Sequence, residues 1–133
     1  MKQLRWLSEA QVMAIQERLL AEHGGLAGVR DAGLLRSALD RPQNLFSYEK
    51  PSLFDKAAAY AFGIAKNHPF LDGNKRTALM AAYTFLGKNG HRLSASEGSA
   101  VIATQELASG EMNQEAFSAW LKQESKRVEA AVG

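Results

Sequence analysis

The most constraining feature of the sequence is a polar segment, His68–Arg76, that runs directly into the apolar segment Leu79–Leu86. Proline disfavours α conformation in the residue before it, so Pro69 predicts that the preceding helix ends at His68. Asn74 is a preferred N-cap residue, which predicts that a new helix begins just after it. The sequence therefore predicts a helix, a short polar loop and the N-terminus of a second helix.

Such a loop has the composition of a site for phosphate chemistry. A helix N-terminus presents unpaired N–H groups and a partial positive charge, so it binds phosphates readily. Gly73 lets the backbone approach a ligand, and a bound anion would offset the clustered charges of Lys75 and Arg76. Asp72 can hold a divalent cation that bridges phosphates, and His68 can accept a proton from an attacking hydroxyl. Each residue alone is commonly structural or solvated, but their density favours a functional site.

Length and composition exclude several classes of protein. With 133 residues, the chain is expected to form one domain over residues 1–133. The absence of cysteine excludes disulfides, thiolate nucleophiles and cysteine-ligated zinc, and it suits the cytoplasm, where we expect this protein. No signal-like or membrane-spanning apolar stretch is evident, so no membrane association is expected. A net charge of +2 is mild and does not indicate nucleic-acid binding.

Caps and helical periodicity predict an all-α fold with very little sheet. The segment Gln43–Pro51 is predicted to be a loop or small hairpin, and His91–Leu93 a short extended piece. Val101, Ile102 and Leu107 are predicted to face the core. The six predicted helices are Glu9–Glu22, Asp31–Leu39, Ser52–Asn67, Lys75–Lys88, Glu97–Leu107 and Gln114–Val128.

Two of these helices are expected to form the centre of the bundle. The helix before the motif is rich in alanine and glycine, and small residues allow close approach to the helix that follows. The helix Lys75–Lys88 is apolar on most sides, which is typical of a buried helix at the middle of a domain. Phe70 is expected to enter the same core and to anchor the loop. His23 and His91 lack the spacing of a metal site and are expected at the surface.

The segment His68–Arg76 resembles the central motif of the Fic/Doc (Fido) superfamily, H-x-F-x-[DE]-[AG]-N-[GK]-R. Lys75 follows the asparagine, and Leu79 stands where AMP-transferring Fic enzymes carry a second arginine; both features are similar to the Doc branch of death-on-curing toxins. The resemblance extends over nearly the whole chain through weaker matches at Gly24–Asp31, Leu34–Leu35, the Tyr48 region and Phe85–Gly90.

The resemblance implies a fold, an activity and partners. The fold would be a single compact Fido-type bundle of about six helices around a buried central helix, with a flap that includes Tyr48 over the site. The activity would be that of a toxin of a type II toxin–antitoxin module, a protein kinase that uses ATP and Mg²⁺. It would transfer the γ-phosphoryl group, from a nucleotide bound in reversed orientation, to a Ser/Thr hydroxyl of a translation factor similar to elongation factor Tu. A Phd-like antitoxin would be its partner.

The resemblance also implies a role for each motif residue. His68 would be the general base, and Asp72 would bind Mg²⁺ or orient the acceptor. Phe70 would be a structural anchor. The residues implied to bind the nucleotide phosphates are Gly73, Asn74, Lys75 and Arg76.

Three alternatives stay open at this point. AMP transfer by a Fic-type enzyme is the enzymatic alternative, and Leu79 argues against it because the second phosphate-binding arginine is missing. A non-catalytic interaction module would have kept the loop only as structure. A DNA-binding protein is the least favoured, because the charged helix start abuts an apolar helix and not an exposed recognition face.

Overall fold

The computed structural model describes residues 3–45 and 50–129. It confirms the all-α prediction, since helices dominate and the sheet has two three-residue strands. No helix within these ranges has the length and hydropathy needed to cross a membrane. The helices are α1 (Glu9–His23), α2 (Ala32–Asp40), a 3₁₀ helix (Arg41–Asn44), α3 (Leu53–Asn67), α4 (Asn74–Lys88), α5 (Glu97–Ser109) and α6 (Gln114–Gln123); the strands are β1 (His91–Leu93) and β2 (Ser125–Arg127).

Helix starts follow the capping chemistry of the sequence. Ser8 and Gln11 form a capping box at the start of α1, with the Gln11 N–H donating to the Ser8 hydroxyl at 3.1 Å. Ser52 and Asp55 form a second capping box at α3. Reciprocal caps of this kind satisfy two backbone donors that the first turn leaves unpaired. The other side-chain caps are Asp31, Ser96 and Asn113.

The buried central helix of the bundle is α3. Eight of its residues are buried, and it packs against α2, α4, α5 and α6. Its most extensive contact is with α4, as the small residues predict. α4 is also central, as expected, because seven of its residues are buried and it contacts α1, α3, α5 and β1, although Tyr83 on its outer side is 37% exposed. Gly63 of α3 lies so close to α2 that a Cβ there would be 2.9 Å from the Ala38 Cα.

Two predictions for the last third of the chain are wrong. α6 ends at Gln123 and not at Val128, because residues 125–127 pair antiparallel with β1 as a second strand. Val101 and Ile102 of α5 are 45% and 58% exposed and do not face the core. α5 buries small residues together with a leucine instead, namely Ala100, Ala103, Thr104 and Leu107.

The predicted loop or hairpin over Gln43–Pro51 also needs correction at its start. Gln43 and Asn44 belong to the 3₁₀ helix, which begins with Arg41 and Pro42. Leu45 and Lys50 carry no regular structure. Tyr48, the flap candidate, lies outside the described residues.

Candidate functional site

The motif begins with an unusual residue conformation. α3 ends at Asn67, and its C-cap His68 is left-handed with a φ of +48° and a ψ of +56°. No other non-glycine residue in ranges 3–45 and 50–129 has a positive φ. The His68 N–H donates to the Ile64 carbonyl at 3.2 Å. A left-handed conformation costs an L-residue roughly 1–2 kcal/mol. The helix stop that Pro69 predicts is therefore present, and the candidate base occupies its strained position.

A loop from the N-terminal part of the chain holds the motif loop in place. Val29 forms an isolated antiparallel bridge with Phe70, and the Leu71 N–H donates to the Gly28 carbonyl at 3.0 Å. The Arg30 N–H donates to the carbonyl of the residue before Phe70 at 2.7 Å. Phe70 is 1% exposed, so it anchors the loop in the core as predicted.

Asp72 is fixed by the same N-terminal region. Its Oδ2 accepts the Leu26 N–H at 2.7 Å, and its carbonyl accepts from the buried Gln16 side chain at 3.3 Å. Gly25 approaches it closely, because a Cβ on Gly25 would lie 3.2 Å from the Asp72 Cβ. Gly25 also has a φ of +122°, which side chains rarely adopt. The aspartate is thus held in one orientation, and glycine is required beside it.

Asn74 has a different local role from the one predicted. α4 begins at Asn74 itself and its N-cap is Gly73, so Asn74 is not the cap. Its Oδ1 accepts the Phe70 N–H and its Nδ2 donates to the Phe70 carbonyl, both at 3.0 Å. Because Gly73 has a φ of +75°, the chain folds back and brings the amide onto Phe70. Both amide atoms therefore support the loop, and phosphate binding by Asn74 stays a prediction.

The start of α4 is open to a ligand. Within the described ranges, no side chain caps its first turn, and the N–H groups before that of Thr77, which donates to the Gly73 carbonyl at 2.9 Å, have no partner. Lys75 and Arg76 are exposed on this turn. Among the described residues, the buried Thr77 hydroxyl also has no hydrogen-bond partner. Positive charge and unsatisfied donors thus meet at one helix end, which suits an anion.

The motif side chains meet in one pocket of about 450 Å³. The candidate base, the acid and the cationic turn line one part of it, and the rest, called its far side, is lined by Leu79 of α4 and by residues of α5. This far side is mixed in polarity, because Leu79 and Val101 are apolar and Thr104 and Gln105 are polar. The motif residues that line the pocket are His68, Leu71, Asp72, Gly73, Asn74, Lys75 and Arg76.

The other histidines lie apart from this pocket. His91 packs edge-on against Phe54, with 5.1 Å between ring centroids. Partial burial, aided by the nearby Arg127, lowers the pKa of its imidazole. No cluster of three or more His, Asp or Glu side chains that could hold a metal exists in the part of the chain that the structure describes.

Several contributors to the site were not predicted from the sequence, among them Gln16 and Gln105. The sequence reasoning gave no role to Arg30 or to Leu26, which hold the motif from a distance of about forty residues in sequence. It also placed Val101 in the core, whereas Val101 lines the pocket. The glycine-rich stretch 24–28 was a usable signal, because three glycines there adopt positive φ.

Comparison with known proteins agrees with this geometry. Residues 6–86, more than half of the chain, match the model of the Fic/DOC family. The chain belongs to the Fic/DOC family. The whole motif and the loop that holds it lie inside the matched region.

Two relatives indicate the Doc branch of the Fic/DOC family. The chain is 51% identical over 74 residues to a protein named Toxin Doc from Mycolicibacterium smegmatis (strain ATCC 700084 / mc(2)155), covering 54% of this chain and 57% of that protein. It is 36% identical over 88 residues to Protein kinase doc from Escherichia phage P1, covering 65% of this chain and 70% of that protein. The chain thus matches little more than half the length of the first relative.

Proposed function

We propose that this chain is a Doc-type protein kinase that transfers the γ-phosphoryl group of ATP to a Ser/Thr hydroxyl. The observation that carries the proposal is the single pocket that His68, Asp72 and the cationic start of α4 line together. A general base, a carboxylate and an anion cradle are the groups that phosphoryl transfer requires. The name of the phage relative, Protein kinase doc, supports the same reaction.

The proposed reaction is a displacement at the γ-phosphorus with His68 as the general base. His68 takes the proton of the acceptor hydroxyl while its oxygen forms a bond to the γ-phosphorus. The bond from that phosphorus to the β–γ bridging oxygen breaks, and ADP leaves with the electron pair. The first-turn N–H groups of α4, together with Lys75 and Arg76, stabilise the charge on the transferring phosphoryl oxygens.

The residues present fit a magnesium ion bound together with nucleotide. Mg²⁺ is usually held by one or two carboxylates plus phosphate oxygens and water, and not by a protein cage. Asp72 offers one such carboxylate: Leu26 occupies Oδ2, and no described group bonds to the other oxygen. Asp72 would hold the ion, which would supply charge neutralisation between the phosphates.

The far side of the pocket favours γ-phosphoryl transfer over AMP transfer. Leu79 lines the pocket where the Fic resemblance would place a second phosphate-binding arginine. The apolar side chains of Leu79 and Val101 do not stabilise phosphate charge, but they suit the flat face of a nucleobase. We therefore place the phosphates at the start of α4 and the base towards α5.

The biological role we propose follows the names of the relatives. Toxin Doc supports a toxin of a type II toxin–antitoxin module, neutralised by a Phd-like antitoxin. The proposed target is a translation factor similar to elongation factor Tu, so that its phosphorylation stops translation in the cytoplasm. One domain, residues 1–133, would carry this activity.

The test uses ATP labelled at either the α or the γ phosphate. Purified chain, Mg²⁺, a bacterial lysate and purified elongation factor Tu are incubated with each label, and the labelled proteins are separated and identified. We expect label only from γ-ATP, at a serine or threonine, and its loss in His68→Ala. His23→Ala is the matched control, because it removes an exposed histidine outside the pocket.

The other outcomes select the alternatives. Label from α-ATP would make the chain an AMP transferase despite Lys75 and Leu79. No transfer from either label would favour a non-catalytic interaction module. For the antitoxin, co-expression with the neighbouring gene followed by affinity capture should recover a small partner, and its absence would contradict the proposed pairing.

A further inference from the structure

The C-terminus of α3 ends in a simple αL cap. Its one bond runs from the His68 N–H to the Ile64 carbonyl at 3.2 Å. The fuller Schellman motif also needs the N–H of the residue after the left-handed position, but that residue is Pro69, which has no N–H. The last carbonyls of α3 therefore have to find partners outside the helix.

Arg30 supplies donors to the carbonyls at and just beyond this helix end. Its Nε donates to the His68 carbonyl at 2.6 Å, and its Nη2 donates to the Asn67 carbonyl at 2.7 Å. Its backbone N–H donates to the Pro69 carbonyl, also at 2.7 Å. Three consecutive carbonyls thus accept from one residue. A cation is favourable at a helix C-terminus, and the planar guanidinium fork can serve two carbonyls at once.

Arg30 is itself held firmly. The preceding residue, Val29, forms the bridge to Phe70. The following residue, Asp31, caps α2 by accepting the Leu34 N–H at 3.0 Å, and its own N–H donates to the Pro69 carbonyl at 3.1 Å. The guanidinium therefore projects from a backbone that is fixed on both sides.

From these contacts we infer that Arg30 is a positioning residue for His68. A left-handed non-glycine residue persists only where its surroundings determine the conformation, and such residues are common at active sites. The backbone turn at His68, with its φ of +48°, directs the chain away from the axis of α3. The same residue lines the pocket. Without the Arg30 bonds, His68 can relax towards ordinary backbone angles, and its ring then leaves the direction of the acceptor. This inference rests on the proposed role of His68 as the base.

The kinetic test compares Arg30→Ala with Arg36→Ala, which removes an exposed arginine of α2 outside the proposed site. We expect kcat to fall about 10–100-fold in Arg30→Ala, the size expected for a misplaced catalytic group, with KM for ATP unchanged within about twofold. Added methylguanidinium should restore part of kcat in Arg30→Ala, whereas equal sodium chloride should not. Arg30→Lys should keep only part of the wild-type kcat, because an ammonium group cannot donate to two carbonyls as the planar guanidinium does. Arg36→Ala should behave as the wild type does with and without methylguanidinium.

A structural readout separates positioning from a general loss of stability. The intraresidue nuclear Overhauser effect between the amide and α protons of His68 reports the sign of φ by NMR, because the two protons are closer at positive φ than at negative φ. In Arg30→Ala this effect should weaken relative to the wild type while the rest of the spectrum keeps the folded pattern. An unchanged effect, or an unchanged kcat in the folded variant, would overturn the inference. If the wild type transfers no label, the proposed function fails, and this effect alone still decides whether Arg30 fixes His68.

Discussion

At the scale of single residues, the motif combines chemistry with local strain and local support. His68 is held in a left-handed conformation at the end of α3. Both polar atoms of the Asn74 amide are hydrogen-bonded to the backbone of Phe70. Two residues of one short signature therefore have measurable structural effects that are distinct from any contact with a nucleotide.

The strain at His68 predicts an unusual order of stability. The free energy of unfolding of His68→Gly should be about 1 kcal/mol higher than that of His68→Ala, because glycine adopts a φ of +48° without the steric cost that a Cβ causes. Chemical denaturation of the two variants measures the difference. At Ala14, exposed inside α1, glycine should instead be about 1 kcal/mol less stable than alanine. Equal stability of the two His68 variants would show that the conformation relaxes without cost.

The support from Asn74 predicts a loss of stability separate from nucleotide binding. Asn74→Ala leaves the buried N–H and carbonyl of Phe70 without partners, so the free energy of unfolding should fall by about 2 kcal/mol. Asn74→Asp keeps the acceptor but loses the donor, so its free energy of unfolding should lie between those of the wild type and Asn74→Ala. Denaturation measures the structural effect, and KM for ATP measures any phosphate contact. An Asn74→Ala variant of wild-type stability would refute the structural role.

At the scale of helices, α3 is the common packing surface. It lies against α2 and α4 so closely that its glycine and alanines decide the spacing. α5 contributes differently, because its apolar residues Val101 and Ile102 point away from the core and one of them lines the pocket.

Two glycines inside helices should respond to alanine with opposite signs. Gly63→Ala would place a Cβ 2.9 Å from the Ala38 Cα and 3.0 Å from its Cβ, so overpacking should destabilise the fold by about 1–3 kcal/mol. Gly87→Ala in α4 meets no atom within 4 Å, so the gain in helix propensity should stabilise it by about 0.5–1 kcal/mol. Thermal unfolding distinguishes the two. A neutral Gly63→Ala would mean that α2 shifts freely.

The wall that α5 gives to the pocket can be tested with neighbouring residues. Val101→Glu would put a negative charge beside the proposed nucleotide, so KM for ATP should rise about tenfold. A tenfold change corresponds to ~1.4 kcal/mol of binding free energy. Ile102→Glu makes the same change one residue further on, at a side chain that is 58% exposed, and should leave KM unchanged. Equal effects in both variants would show that α5 does not contact the nucleotide.

What the sequence could predict depends on how local the interactions are. The capping box at Ser8 and the end of α3 before Pro69 depend on interactions within a few residues, so both can be predicted from the sequence. β2 could not, because Ser125–Arg127 becomes a strand only through pairing with β1, about 34 residues away. The orientation of Val101 depends on which face of α5 meets the bundle. The contacts of Arg30 with Asn67 and His68 depend on the tertiary fold and have no signal in spacing.

At the scale of the whole molecule, hydrogen bonds join the N-terminal segment and α6 to the central helix α3. The Leu7 N–H donates to the Tyr60 hydroxyl at 3.0 Å, which ties the N-terminal segment to α3. The Ser118 hydroxyl donates to Asp55 at 2.7 Å, which ties α6 to the first turn of α3. Burial raises the pKa of Tyr60 despite the bond from Leu7.

Asp55 makes the stability of the molecule depend on acid. Partial burial opposes ionisation, but hydrogen bonds from Ser118 and Ser52, with the nearby charge of Lys56, lower the pKa of its carboxyl below the usual 3.8. A lowered folded-state pKa contributes stability above the unfolded value, and that contribution is lost as the pH falls through the folded value. The advantage of wild type over Asp55→Asn in free energy of unfolding should therefore shrink below about pH 4.

Ser118→Ala provides the matched control for this acid effect. It removes one of the bonds that lower the pKa of Asp55, so the loss of stability on acidification should be smaller than in wild type. Urea denaturation at a series of pH values measures all three proteins. An advantage over Asp55→Asn that stays constant down to pH 2 would contradict this account.

The loop that holds the motif has a consequence for genetics. The groups that bond to the motif loop come from residues 16–31, and the far wall of the pocket comes from α5. In a selection for loss of activity, we expect inactivating alleles at Gly25 and Arg30 as well as inside the signature. A gene copy that keeps His68–Arg76 unchanged would then still encode an inactive protein if the residues that hold the motif loop, such as Gly25 and Arg30, had been substituted.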